Sequence, residues 1–230
     1  MHNFLETSAY FGLVLTILCF WFGRWLSQKT RLSILNPILI AMAIIIALLV
    51  FADIEYTTYE SGANMIYKLL TPATICYAVP LYRQIQILKD RFAAIIISVV
   101  CGCIASILCV FGFSLLFNFE PEIYYAILPK SVTTAIGLGL SEEMGGLVPI
   151  TIAAIIITGI FGNIAAVTVC RICKITHPVA IGLGIGTSSH AIGTSKAIEI
   201  GEVEGAISGL ALVIAGLMTV VLAPLAAGWI

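Results

Sequence analysis

Charge is what this sequence has least of. Only 10% of its 230 residues are Asp, Glu, Lys or Arg, against roughly 25% in ordinary soluble domains. A water-solvated surface cannot be built from that inventory. With 60% hydrophobic residues and a mean hydropathy of +1.11, the chain reads as an integral membrane protein. The ~10-residue alternating segments of a transmembrane barrel are missing, which leaves an all-α fold. No basic run is present, so no nucleic-acid partner is expected. The amino end, MHNFLETSAYFG, lacks both a positive n-region and a small-residue cleavage site, so its first apolar stretch is expected to stay as a helix.

The seven cysteines lie within or beside apolar segments, not at disulfide-framework spacings. Cys170-Arg-Ile-Cys173 has CxxC spacing but no second pair, so neither a metal nor another cofactor is expected. A Gly-x-Ser-x-Gly elbow is also missing. Adjacent serine and histidine at Ser188, Ser189 and His190 do not converge readily on one helix face. Enzymatic activity is therefore not expected.

What the chain does have is long apolar runs, at Ala9–Phe22, Leu35–Ala52, Phe92–Phe117, Leu147–Cys170 and Ala206–Ile230. Most approach or exceed the roughly 20 residues that a helix needs to cross ~30 Å of hydrocarbon. Lys and Arg mark cytoplasmic loops, and they cluster at Arg24, Lys29 and Arg31, at Arg83, Lys89 and Arg91, and at Arg171 and Lys174. The acids cluster elsewhere, at Asp53–Glu60, Glu120–Glu122, Glu142–Glu143 and Glu199–Glu204. These signs fit an extracytoplasmic amino terminus if Ile123–Leu140 dips in and returns to the same side. In that topology Leu147–Cys170 enters, His177–Ile198 exits and Ala206–Ile230 enters, ending at a cytoplasmic carboxyl terminus.

An offset of 112 residues sets Pro37–Ile45 against Pro149–Ile157, with six of nine positions identical. The same offset pairs Pro72–Pro80 with Gly184–Ile192, and Phe92–Phe117 with Glu204 onward. Under the topology above, matched pairs cross in opposite directions. This predicts an inverted-topology repeat within one 230-residue domain, repeat one spanning about 1–117 and repeat two about 118–230.

Three stretches are apolar yet carry helix breakers: LLTPATICYAVPLY (69–82), LPKSVTTAIGLGLS (128–141) and IGLGIGTSSHAIGTSKA (181–197). Prolines such as Pro72 and Pro80 remove backbone donors. Non-helical backbone survives at membrane depth only where it is buried in protein or lines a watery cavity, so the breaks should meet at one interior site. Half-helix N-termini favour anions. Ser131, Thr133 and Thr134 supply hydroxyls at one break, and Thr187, Ser188, Ser189 and Thr194 at the other. Lys130 and Lys196 add positive charge, although Glu199 is placed to pair with Lys196 at helical spacing. A lysine inside a membrane is costly unless paired or solvated, and a bound anion is a natural counter-charge. His190 is a candidate for substrate or proton handling, with an interhelical hydrogen bond as its structural alternative. Pro72 and Tyr77 could line the first break. The small residues of GAISGLALVIAG (205–216) suit close helix packing.

The segments LLTPATICYAVPLYRQ, LPKSVTTAIG, TGIFGN and GIGTSSHAIGTSKAIE resemble the LrgB/CidB family, over nearly the whole chain. Where that family carries a proline after the paired threonines, this chain has Ala135, with Gly137 and Gly139 close behind. The resemblance implies one of two functions. One is a secondary carrier of a small monocarboxylate such as glycolate, glycerate or pyruvate, as in plastidic glycolate/glycerate transporter relatives. Broken helices around buried cations favour this reading, with an elevator-like or rocking movement. The other is an antiholin-like regulator of murein hydrolase activity and lysis. The resemblance further implies a multi-pass protein of the bacterial inner membrane, a small LrgA-type membrane partner and a homo-oligomer, expected as a dimer.

Overall fold

The computed structural model describes residues 10–30, 37–69, 72, 82 and 85–230, and all its regular structure is helical. Among the described residues, four helices are long and apolar enough to cross a membrane: Phe11–Thr30, Phe92–Phe117, Val148–Ile172 and Glu202–Ala227. The protein is an all-α membrane protein. Contacts divide the chain into two compact units, Met1–Cys76 and Tyr77–Ile230.

In the first unit, α1 (Phe11–Thr30) and α2 (Pro37–Phe51) run antiparallel. Cys19 packs with Ala41 and Ile45, and Gly23 lies against the Pro37 carbonyl. The third helix, α3 (Tyr56–Tyr67), crosses α1 where Gly12 lets the Tyr59 carbonyl approach. The Tyr59 hydroxyl meets Thr16 Oγ1 at 2.8 Å. Without a hydrophobic force between helices in lipid, such close small-residue contacts carry association.

The second unit is built on three long helices. After the short α4 (Ile85–Asp90) comes α5 (Phe92–Phe117), a 26-residue run with no charged side chain, about 39 Å long at 1.5 Å per residue. It stops at Asn118, whose φ of 49° is left-handed and whose N–H returns to the Ser114 carbonyl. Next come α6 (Pro121–Ile127) and α7 (Thr134–Met144), joined by a turn at 128–133. These two form a re-entrant hairpin: the Leu147 N–H reaches the Glu122 carbonyl at 3.4 Å, and Gly146 packs on Ala126. The dip expected at Ile123–Leu140 is therefore present, and α8 (Val148–Ile172) starts where α5 ended.

The helix α9 (Pro178–Ile200) is two half-helices. Ser189 (φ −133°, ψ 15°) and His190 (φ 42°, ψ −143°) leave helical geometry. A Cβ on Gly193 would sit 3.0 Å from Ile185 Cγ2, although eight residues of continuous helix span about 12 Å. The partners along α10 (Glu202–Ala227) trace the reversal. Gly182 meets Glu204 and Ile207, and Gly186 meets Ser208 and Ala211. Beyond the break, Thr194 meets Ser208 and Ile198 meets Gly205. The first half thus runs with α10 and the second against it. A second re-entrant hairpin replaces the single crossing expected for His177–Ile198, because a reversal at His190 returns Ile200 to the end where Val179 lies.

That hairpin changes the direction of α10. Ile95 clusters with Ile207, Val99 and Cys103 with Ala211 and Ala215, and Ile107 and Val110 with Ala223 and Ala226. So α5 and α10 run parallel, whereas the 112-residue match was expected to pair opposite crossings. The Arg171–Lys174 turn and the carboxyl end of α10 consequently lie at opposite ends of the unit. The Glu199–Glu204 segment shares the end that carries Arg91 and Arg171, not the acidic end expected for it.

Candidate functional site

The two hairpins enter from opposite ends, and their tips meet α5 near its middle. Ser106 lies 14 residues into this helix, about 21 Å along it. Its Oγ is 3.1 Å from Ser131 Oγ, and the Lys130 ammonium donates to both Ser106 Oγ and Ser131 Oγ at 3.2 Å. One turn back, a Cβ on Gly102 would come within 2.7 Å of Thr187 Cγ2. Residues four apart on a helix are neighbours about 5–6 Å apart, so Lys130, Ser131 and Thr187 gather on one face of α5.

Lys130 is half-buried, and among the described residues it has no carboxylate partner; its contacts are hydroxyls. Glu142 and Glu143 sit at the far end of α7, at least 12 residues on. Thr133 is the N-cap of α7, with extended backbone (φ −64°, ψ 149°) and no side-chain cap hydrogen bond. Thr134 opens the helix and is exposed. Because α7 begins at the tip, its unpaired N–H groups and positive dipole end lie next to Lys130 in sequence and space.

In the second hairpin the polar residues are more fully engaged. Thr187 is buried. Ser188 is exposed and donates to the Gly184 carbonyl at 2.7 Å, with Ser189 Oγ 2.9 Å away. His190 is 3% exposed, and its Nε2 donates to the Ile155 carbonyl of α8 at 2.9 Å. Thr194 is fully buried, bonded to the His190 carbonyl and to Ser208 Oγ of α10, both at 2.9 Å. Glycines make the seat: Gly159 faces the His190 ring, and Gly162 faces Ser189 so closely that no Cβ fits. Asn163 pins the returning half by donating to the Ile192 carbonyl at 2.8 Å.

Lys196 does not join the tips. It lies toward the base of the hairpin, where its ammonium pairs with Glu199 at 2.9 Å. Tyr77 lies outside the described residues, and Pro72 is an exposed residue of the first unit. Ser106 and Gly102 join the site without having been expected there. No local signal sets them apart, since the same apolar span also carries Ser98, Gly112 and Ser114.

Both re-entrant hairpins place non-helical backbone at mid-depth inside protein, where it is tolerated in a membrane, and bring Lys130 and a set of hydroxyls to their tips. That defines a polytopic membrane protein with an interior polar site, not a lipid-facing bundle. The LrgB-like family model matches residues 16–229, and the chain belongs to that family. No solved structure matches it.

Proposed function

We propose that the protein is a secondary carrier of small monocarboxylates, such as glycolate, glycerate or pyruvate, with the substrate carboxylate held by Lys130. One observation carries the reading. Lys130 is a lysine at the tip of a mid-depth hairpin, surrounded by hydroxyls and without an acid among the described residues. An ammonium there is costly unless compensated, and an anion arriving from water supplies the compensation. Ser131, Ser106 and the start of α7 add donors to the carboxylate oxygens, and Thr187 closes the other side. The chain acts as a carrier and not as an enzyme, and needs no cofactor. Its resemblance to transporter relatives supports the substrate class.

The basic residues of the second unit orient it in a bacterial inner membrane. Lys89, Arg91, Arg171, Lys174 and Lys196 all lie toward one end, while residues 117–129 and 218–230 at the other carry no Lys or Arg. By the positive-inside tendency, the former end is cytoplasmic and the carboxyl terminus is extracytoplasmic. An LrgA-type small membrane protein and a second copy of the chain are the proposed partners.

Uptake of labelled glycolate, glycerate and pyruvate by purified protein in liposomes, with and without the small partner, tests the proposal. Lys130→Met should leave an inserted, stable protein with severely reduced uptake, since a hydrogen bond to a charged group contributes about 1.5–3 kcal/mol. Full uptake by this variant would refute the assignment. A wild-type protein that moves no carboxylate but still alters murein hydrolase activity would favour an antiholin-like regulator.

A further inference from the structure

Two clefts open at the basic end of the second unit, both against the first half of α9. One lies between the starts of α5 and α9, with Arg91 and His177 at its outer end and Ile95, Val179 and Leu183 as its floor. The other is lined by Val167, Cys170, Arg171, Ile175, Ile181 and Ile200. No acid lines either cleft.

The cations of the first cleft have the wrong sign for their places. Arg91 is the N-cap of α5 and His177 the N-cap of α9, and helix N-termini carry partial positive charge that favours anions over cations. Neither helix has an acid in its first turn. The neighbouring Asp90 accepts from Gln86 at 3.2 Å, and among the described residues Arg91 is in no ion pair. The Val179 N–H donates to His177 Nδ1 at 3.3 Å, which puts the proton of the neutral ring on Nε2, a donor. Arg171 differs, because it lies in the last turn of α8, where the helix dipole already favours a cation.

The rest of the first cleft is apolar. Ile95 is fully buried against Val179, with Leu183 packed on the same cluster. Ala94 and Ala180 are exposed at the rim. From Arg91 to Ile95 the cleft reaches one turn into the membrane, about 6 Å along α5. Its volume of ≈ 230 Å³ is below the roughly 300–1,000 Å³ of pockets that enclose a small molecule, so a fitting occupant extends beyond it. A free phosphate would answer the cations and leave the apolar floor bare. A phospholipid answers both, and basic pockets between membrane helices are suited to anionic head groups.

We propose that the cleft between the starts of α5 and α9 binds an anionic phospholipid, its phosphate on Arg91 and His177 and the beginning of an acyl chain over Ile95, Val179 and Leu183. The lipid bridges α5 to the hairpin arm whose tip, Thr187, packs at Gly102, and so holds that arm at its outer end. The site does not depend on the carrier reading.

Native mass spectrometry of the detergent-purified protein, titrated with phosphatidylglycerol, tests it. The wild-type protein should retain this lipid in preference to zwitterionic phosphatidylethanolamine. Arg91→Gln should raise the half-occupancy concentration roughly tenfold, the effect of losing one hydrogen bond to a charged group. Ala180→Phe fills the cleft from its exposed rim while keeping both cations, and should weaken retention as well; it decides the matter if Arg91→Gln proves unstable. Arg171→Gln should bind like wild type. Retention unchanged in Ala180→Phe or in a folded Arg91→Gln, equal loss in Arg171→Gln, or no preference for the anionic lipid would each overturn the inference. Displacement of the lipid by inorganic phosphate would also overturn it, since the cleft would then be a site for the free anion.

Discussion

Ser106 offers the most direct measure of how the tip holds its charge. Ser106→Ala removes one of the two hydroxyls that the Lys130 ammonium reaches at 3.2 Å, and with it the 3.1 Å contact to Ser131. A hydrogen bond to a charged group contributes about 1.5–3 kcal/mol, but 3.2 Å is the long edge of the usual 2.7–3.2 Å range. The lower edge therefore applies, about 1.5 kcal/mol, which is roughly tenfold in an equilibrium constant. The bond positions the cation before the carboxylate arrives, so the loss should appear as a roughly tenfold rise in the half-saturating substrate concentration. The maximal rate should change less. Ser106→Thr keeps the hydroxyl and should stay near wild type. Ser98→Ala, at an exposed position two turns earlier on the same helix, controls for loss of any serine from α5. Liposome uptake across a glycolate concentration series reads all three. A Ser106→Ala protein that saturates at the wild-type concentration, alongside an impaired Lys130→Met, would show that Lys130 acts without its hydroxyl partner.

Two further expectations follow from the second hairpin. His190 has a φ of 42°, a left-handed conformation that costs a residue with a side chain about 1–3 kcal/mol. His190→Gly should consequently be less destabilising than His190→Ala, although glycine usually costs about 0.5–1 kcal/mol relative to alanine within helices; thermal unfolding in detergent compares them, and an alanine variant of equal or greater stability would contradict the strained turn. Because that same turn sends α10 back across the membrane, a carboxyl-terminal alkaline phosphatase fusion should be active and a fluorescent protein fusion dark. The opposite pattern would restore a single crossing for α9.

Much of the fold was legible because lipid makes demands that composition cannot hide. Long uncharged runs became α5, α8 and α10, and the dip at Ile123–Leu140 followed from charge placement alone. The second hairpin was missed for a specific reason. The glycines of 181–197 signal a break, but with no proline at the turn they do not separate a kinked crossing from a reversal, which rests on two residues, Ser189 and His190. Length misled as well: 23 residues suffice to cross the bilayer once, and a hairpin of two short halves has the same length and hydropathy. The acidic Glu199–Glu204 segment points the same way as a single crossing, yet acids carry little weight in orientation.

The site was legible where chemistry alone decides and illegible where geometry does. Lys130 stood out because no acid lies near it in sequence, and the folded chain brings none to it among the described residues. Lys196 differed only in having Glu199 three residues on, and that spacing is the ion pair the structure contains. Ser106 had no local signal of function, since a serine in an apolar helix commonly bonds its own backbone one turn back. Its role comes from two turns far apart in sequence arriving on one face of α5. Gly102 makes room for Thr187, and Ser106 gives Lys130 a partner, so a four-residue step on one helix sets the spacing between the hairpin tips. A substitution that filled Gly102 would therefore act on the site without touching any polar group in it.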